Sequence, residues 1–147
     1  MQIRIYYEDT DCGGIVYHTN YIKFCERARS ELFFARGKLP HNGTCGFVVS
    51  SLEAQFLGSA RLGDLLEVHT KPAKIGKVQM ILIQEIFKIQ DAQSAQNTAQ
   101  PHTNAPTHAH TNDKIFSATF KMGYIDVAQQ KPTPIPQEFL DIFRTQI

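Results

Sequence analysis

Residues 8–36 read EDTDCGGIVYHTNYIKFCERARSELFFAR, and the pattern changes inside them. From Tyr21 onward, Tyr21, Phe24, Cys25, Ala28, Leu32 and Ala35 recur at three- and four-residue spacing. That is the apolar stripe of one amphipathic helix, about 24 Å long over residues 21–36. Thr19 or Asn20 suits its N-cap, and Gly37 stands where a left-handed C-terminal cap belongs. Pro40 then bars continuation. Before the helix come three acids (Glu8, Asp9, Asp11) and a Gly13-Gly14 pair, a loop rather than a periodic element.

Outward from this segment the chain reads as strands. Met1, Ile3, Ile5 and Tyr7 alternate with polar residues, which predicts a first strand. Residues 46–58, 65–75, 77–90 and 114–126 are rich in β-branched and aromatic residues between turn signals. In the last of these, Phe116, Ala118, Phe120, Met122 and Tyr124 share one side. In 77–90 both faces are apolar: Val78, Met80, Leu82 and Ile86 on one, Ile81, Ile83, Phe87 and Ile89 on the other. A single helix covers only one face of such a sheet, so the other face must meet another subunit, a ligand, or water at a cost, which argues for an oligomer. Near the C-terminus a proline-punctuated stretch leads into a short helix with Phe139, Ile142 and Phe143 on one side. The order strand, helix, four long strands predicts an α+β fold, a long helix wrapped by a five-stranded antiparallel sheet.

Between Asp91 and Asp113 the sequence DAQSAQNTAQPHTNAPTHAHTND has almost no large apolar residue. It cannot bury enough surface to offset its ordering entropy. We read it as a flexible, tolerated insertion at a hairpin tip within one domain spanning 1–147, its His102, His108 and His110 belonging to a solvated tract. The 147 residues suffice for one sizeable core, and 42% hydrophobic with 20% charged residues describes a globular chain. A net charge of +1 gives no general attraction to nucleic acid. No apolar run approaches the roughly 20 residues of a membrane span. Residues 1–8 alternate, unlike the continuous apolar core of a signal peptide. Three irregularly spaced cysteines (Cys12, Cys25, Cys45) argue against a disulfide framework and for a reducing cytoplasm.

The loop itself can carry chemistry. A helix N-terminus presents unpaired N–H groups and the positive end of the helix dipole, which suit a carbonyl oxygen gaining negative charge. Gly13 and Gly14 let a substrate approach backbone, and Asp11 could attack a carbonyl or take a proton from water. His18 could orient substrate or shuttle a proton. The bland reading is equally available, since Asp and Gly are ordinary turn residues, and Asp9 in particular reads as a turn or capping acid. Asp9, Asp11, Cys12, His18 and Cys25 match no paired Cys/His metal pattern. Cys12 has only the helix end to activate it, and no G-x-S-x-G elbow occurs.

The segment Arg4–Tyr21, RIYYEDTDCGGIVYHTNY, resembles the active-site signature of the 4-hydroxybenzoyl-CoA thioesterase family, whose members have the hotdog fold. Its continuation, IKFCERARSELF, is similar to the YbgC-like branch of acyl-CoA thioesterases associated with the Tol-Pal system. Further matches run through FVVSSLEAQFLGSARLGDLLEV, leaving out chiefly the 91–113 tract. The resemblance implies a thioester hydrolase working without metal or cofactor on acyl-CoA, or on an acyl-carrier-protein thioester. It implies catalytic roles for Asp11, in the Thr10–Gly14 element, and His18. Tyr7, Gly14, Tyr17 and Arg61 become the expected substrate contacts, with the backbone amide near Tyr17–His18 polarising the carbonyl and Lys71, Lys74 and Lys77 further candidates for the CoA phosphates. It also implies dimers joined edge to edge, paired again into tetramers, with sites at subunit boundaries. A non-catalytic protein binding acyl chains or acyl-carrier protein is the alternative.

Overall fold

The computed structural model describes residues 1–92 and 110–146. Its elements are β1 (Gln2–Arg4), a 3-10 turn (Tyr7–Asp9), α1 (His18–Phe34), β2 (His41–Asn42), β3 (Cys45–Phe56), β4 (Leu65–Ile75), β5 (Gln79–Gln90), β6 (His110–Asp126), β7 (Lys131–Pro132) and α2 (Gln137–Arg144). One antiparallel sheet runs β1-β4-β5-β6-β3-β2, with β7 beside β6. β1, β3, β4, β5 and β6 are the five strands the sequence predicts, and β2 and β7 add two residues each.

The helix stripe packs onto one face of this sheet. Tyr21, Phe24, Cys25 and Ala28 are buried there, against Leu82, Ile86, Phe116, Phe120 and other strand residues of the same cluster. α1 begins at His18, earlier than the stripe implied, because the turn of backbone around Tyr17 and not a Thr or Asn side chain starts it: the Asn20 N–H donates to the Tyr17 carbonyl at 2.9 Å. Its end follows the sequence closely. Gly37 has φ +66°, its N–H donates to the Phe34 carbonyl, and the Lys38 N–H donates to the Phe33 carbonyl, the paired bonds of a Schellman cap.

α2 closes one end of the core. Phe139 and Phe143 approach the Phe33 ring at 5.0 and 5.7 Å between centroids, edge to face. Such aromatic pairs contribute about 0.5–1.5 kcal/mol each beyond the area they bury.

Two readings of the sequence change. Tyr7 does not continue β1: the strand ends at Arg4, and Tyr7 lies in the 3-10 turn with its side chain outside the core. β6 starts at His110 rather than Lys114, because Gln90 pairs with His110 and Lys88 with Asp113. Sheet pairing is a backbone matter and runs on past the last apolar side chain. The proposed insertion, with His102 and His108, otherwise falls on residues 93–109, outside those described. Among the described residues no helix is long and apolar enough to cross a membrane, and Cys12, Cys25 and Cys45 carry free thiols.

Candidate active site

The loop between β1 and α1 folds back on itself. Thr10 bridges Val16, and the Asp11 N–H donates to the Ile15 carbonyl at 2.9 Å. At the tip the Gly14 N–H donates to the Asp11 carbonyl at 3.0 Å, and Gly14 takes φ +75°, a conformation open to glycine at little steric cost. The Gly13 N–H donates to Asp11 Oδ1 at 2.8 Å. Asp11 is exposed, so its carboxylate is oriented by the turn yet faces outward.

Asp9 plays the turn role its position suggested. It is buried, its Oδ2 accepts the Tyr6 N–H at 3.0 Å, and its carbonyl accepts both the Tyr17 N–H at 2.9 Å and Asn20 Nδ2 at 3.0 Å. That arrangement separates the two amides named as candidates for polarising a carbonyl. The Tyr17 amide is spent on Asp9, whereas the His18 amide bonds nothing among the described residues. Among the described residues no side chain caps the helix, so there the dipole end of α1 is open at His18.

The His18 ring is exposed and lies 4.4 Å from the Tyr17 ring and 6.3 Å from the Phe56 ring, centroid to centroid. Tyr17 and Phe56 are about half exposed, at 45% and 51%. They form an aromatic shelf beside the helix start.

Arg61 reaches the same place by another route. It bridges Ile15, while the Val16 N–H donates to the Ala60 carbonyl at 2.9 Å. The Arg61 N–H donates to Oδ2 of buried Asp64, whose Oδ1 accepts the Ala92 N–H, both at 2.9 Å. Tyr21 ties the turn to the core, its hydroxyl accepting the Ala60 N–H at 3.0 Å, and burial raises its pKa above the ordinary value.

Asp11, Gly14, Tyr17, His18 and Arg61 thus belong to one loop cluster, with Tyr7 on the adjoining turn at 80% exposure. Lys71 and Lys74 lie further along β4, and Lys77 follows its far end; within one chain they do not join this cluster. Cys25, considered as a metal ligand, is fully buried, and burial pushes its thiol up to about 12. Among the described residues no three His, Cys, Asp or Glu side chains gather as a metal site.

Sequence reasoning missed a polar pair in the core. Arg29 and Gln84 are 7% and 0% exposed, and Arg29 Nη1 donates to Gln84 Oε1 at 2.5 Å. Gln84 is in phase with Met80, Leu82 and Ile86, and Arg29 lies four residues after Cys25 on the α1 stripe, so position rather than residue type was the signal that could have found them.

A helix folded onto an antiparallel sheet, with an acidic turn feeding its open N-terminus, defines a hotdog thioesterase. Residues 13–95 match the family described as Thioesterase superfamily, and the chain belongs to that family. Within it the chain is 39% identical to an acyl-CoA thioesterase YbgC of Helicobacter pylori, with 97% of each chain covered. It is 31% identical to the Haemophilus influenzae protein of the same name, covering 92% of this chain and 87% of that one. A probable thioesterase from Bartonella henselae superposes with TM-score 0.69 at 26% identity, covering 92% of this chain and 96% of the other. A 1,4-dihydroxy-2-naphthoyl-CoA thioesterase from Synechocystis shares the fold at TM-score 0.77 and 18% identity, over 98% and 93% of the two chains.

Proposed function

We propose that this protein hydrolyses acyl-CoA thioesters to the free acid and CoA, with Asp11 as the reacting carboxylate. The observation that carries the proposal is the pairing of an outward-facing carboxylate, held by the Gly13 amide, with the unbonded His18 amide on the same folded loop. The thioester carbonyl oxygen accepts the His18 N–H at the positive end of α1, where the charge of a tetrahedral intermediate is favoured. Asp11 then either attacks the carbonyl carbon, giving an anhydride that water opens, or takes a proton from the attacking water. Hydroxylamine trapping of an acyl-enzyme distinguishes these routes. The thiolate leaves and is protonated, with the His18 side chain as proton donor. Tyr7, Gly14 and Tyr17 border the bound thioester, and Arg61 meets the CoA phosphates. An acyl-carrier protein presents the same pantetheine arm and is the second carrier to test.

The assembly that suits this chain is a dimer through β3, in a reducing cytoplasm. β2 covers only Cys45 and Gly46, so among the described residues the strand from Phe47 to Phe56 has a free edge. Val49, Leu52 and Phe56, in line with core residues Met122, Phe120 and Phe116, remain 46%, 38% and 51% exposed. A long, apolar, unpaired edge is a template for a second strand. The opposite free edge, on β4, carries Lys71, Pro72, Lys74 and a bulge, devices that block such pairing. On the outer face of the sheet, Ile83 at 37% exposure with Ile81 and Phe87 offers a second contact by which dimers pair into tetramers.

Thiol release from acyl-CoAs of increasing chain length tests the activity. Turnover supports the enzyme; tight binding without turnover on CoA or carrier-protein thioesters would establish the non-catalytic binding protein instead.

A further inference from the structure

The reaction as proposed makes no use of Arg29, a charged side chain 93% removed from solvent. Its guanidinium carbon stands 4.4 Å over the Phe120 ring, and Nη1 bonds Gln84, whose Nε2 donates to the Cys25 carbonyl at 2.9 Å and to Thr70 Oγ1 at 2.8 Å. Among the described residues no carboxylate comes within ion-pair distance of Arg29. Glu26 acts on it from further away, its own carboxylate accepting the Ser30 hydroxyl at 2.7 Å. A buried charge ordinarily has a partner, because desolvating it alone is costly. Guanidinium has five N–H donors, and among the described residues no fully buried side-chain nitrogen or oxygen lacks a bond. The donors left over therefore retain some solvent contact, and Arg29 lines a cavity through which it is made.

That cavity, of about 330 Å³, lies between α1 and the β3 edge, its walls including Glu26, Arg29, Phe33, Phe47, Val49 and Met122. Its size suits the end of a small organic ligand. Phe47, in the cavity wall, and Phe56, beside His18, lie nine residues apart on β3, about 30 Å at strand spacing. One copy therefore cannot hold both ends of a short acyl thioester. Two copies can. A twofold that pairs the whole free edge, Phe47 to Phe56, sets Phe47 of one chain opposite Phe56 of the other, and so turns each cavity toward the second copy's acidic loop.

We infer that this cavity receives the far end of the acyl group and that Arg29 selects acyl chains ending in an oxygen acceptor, a carboxylate or a hydroxyl, over plain alkyl chains. The inference rests on the thioesterase reading and on the β3 dimer. The walls contact the methylenes, and the guanidinium donors not used by Gln84 bind the terminal oxygen, a charge-assisted hydrogen bond.

The test is kcat/KM on matched alkyl, ω-hydroxyacyl and ω-carboxyacyl-CoA series of equal carbon number. Wild type is expected to prefer at least one acceptor-bearing series by about 10- to 100-fold, the two series separating a hydroxyl from a carboxylate preference. Arg29→Met should abolish the preference, read as the ratio of acceptor-bearing to alkyl kcat/KM at equal carbon number. Because Arg29 also braces Gln84, a second variant leaves it in place: Ser30 is another wall residue of the cavity, and Ser30→Phe fills it and should remove turnover of longer chains of every series but spare acetyl-CoA. Equal rates for all three series in wild type, or an unchanged preference in a folded Arg29→Met protein, would overturn the inference alone. No turnover of any acyl-CoA would overturn the parent reading.

Discussion

Asp11 Oδ1 and the Gly13 backbone hold each other at 2.8 Å, and a Cβ added to Gly13 would stand 3.1 Å from that same oxygen. The residue that orients the carboxylate therefore also leaves no room to spare. Gly13→Ala should push Asp11 by a few tenths of an ångström without touching the core. The expected result is a fall in kcat of about tenfold or more, since misplaced reacting groups lose rate steeply, with an unchanged melting temperature. Steady-state kinetics beside a thermal melt reads both.

The β3 edge separates assembly from folding. Leu52→Lys places a charge on a side chain 38% exposed, where monomer stability falls by about 1 kcal/mol. Wild type is expected to be a dimer or tetramer by light scattering coupled to gel filtration, the variant a monomer, and activity should fall with it. A Leu52→Lys protein that keeps its assembly would place the interface elsewhere.

Asp64 links three segments. Its carboxylate takes the Arg61 and Ala92 amides, lies 3.5 Å from Lys88 Nζ, and is 1% exposed. Removing one partner of a buried charged group costs about 3 kcal/mol or more. Asp64→Ala should lower the melting temperature by roughly 6–12 °C and weaken activity through the displaced Arg61 turn.

Cys25 makes the protein sensitive to alkali. Burial raises its thiol from an ordinary value of 9.0 to about 12. Below pH 9 the thiol is neutral folded or unfolded and contributes no pH dependence. Between about 9 and 12 the unfolded state loses the proton and the folded state keeps it, so stability falls as pH rises. Chemical denaturation across that range should show a slope that Cys25→Ala reduces. In the native protein a thiol reagent should label exposed Cys12 promptly and Cys25 only on unfolding.

The elements that sequence resolved are those in which one chemical signal dominates. The α1 stripe, the Gly37 cap and the inward row Phe116–Tyr124 each follow from periodicity or from a positive φ. Asp11 and His18 are candidates from the loop's chemistry and the resemblance, and the structure sets both on the segment that enters α1. Hidden were features set by tertiary contact. Arg29 and Gln84 satisfy each other inside the core, and polarity alone points such residues outward. The helix start at His18 comes from the Asp9 and Tyr17 backbone, which no side-chain cap announces. That Tyr17's amide is occupied and His18's is open depends on the same fold-back. The free edge of β3 emerged only with strand order, because both edges of the sheet read equally well as strands.

The central claim is that Asp11 performs the hydrolysis. Acyl-CoA turnover by wild type and by Asp11→Asn, measured on proteins with matching melting curves, tests it most directly. Asparagine keeps the turn's acceptor for Gly13 but can neither serve as base nor attack as a carboxylate, so the account predicts a loss of kcat of at least about 100-fold. An Asp11→Asn protein that turns over at the wild-type rate would contradict it.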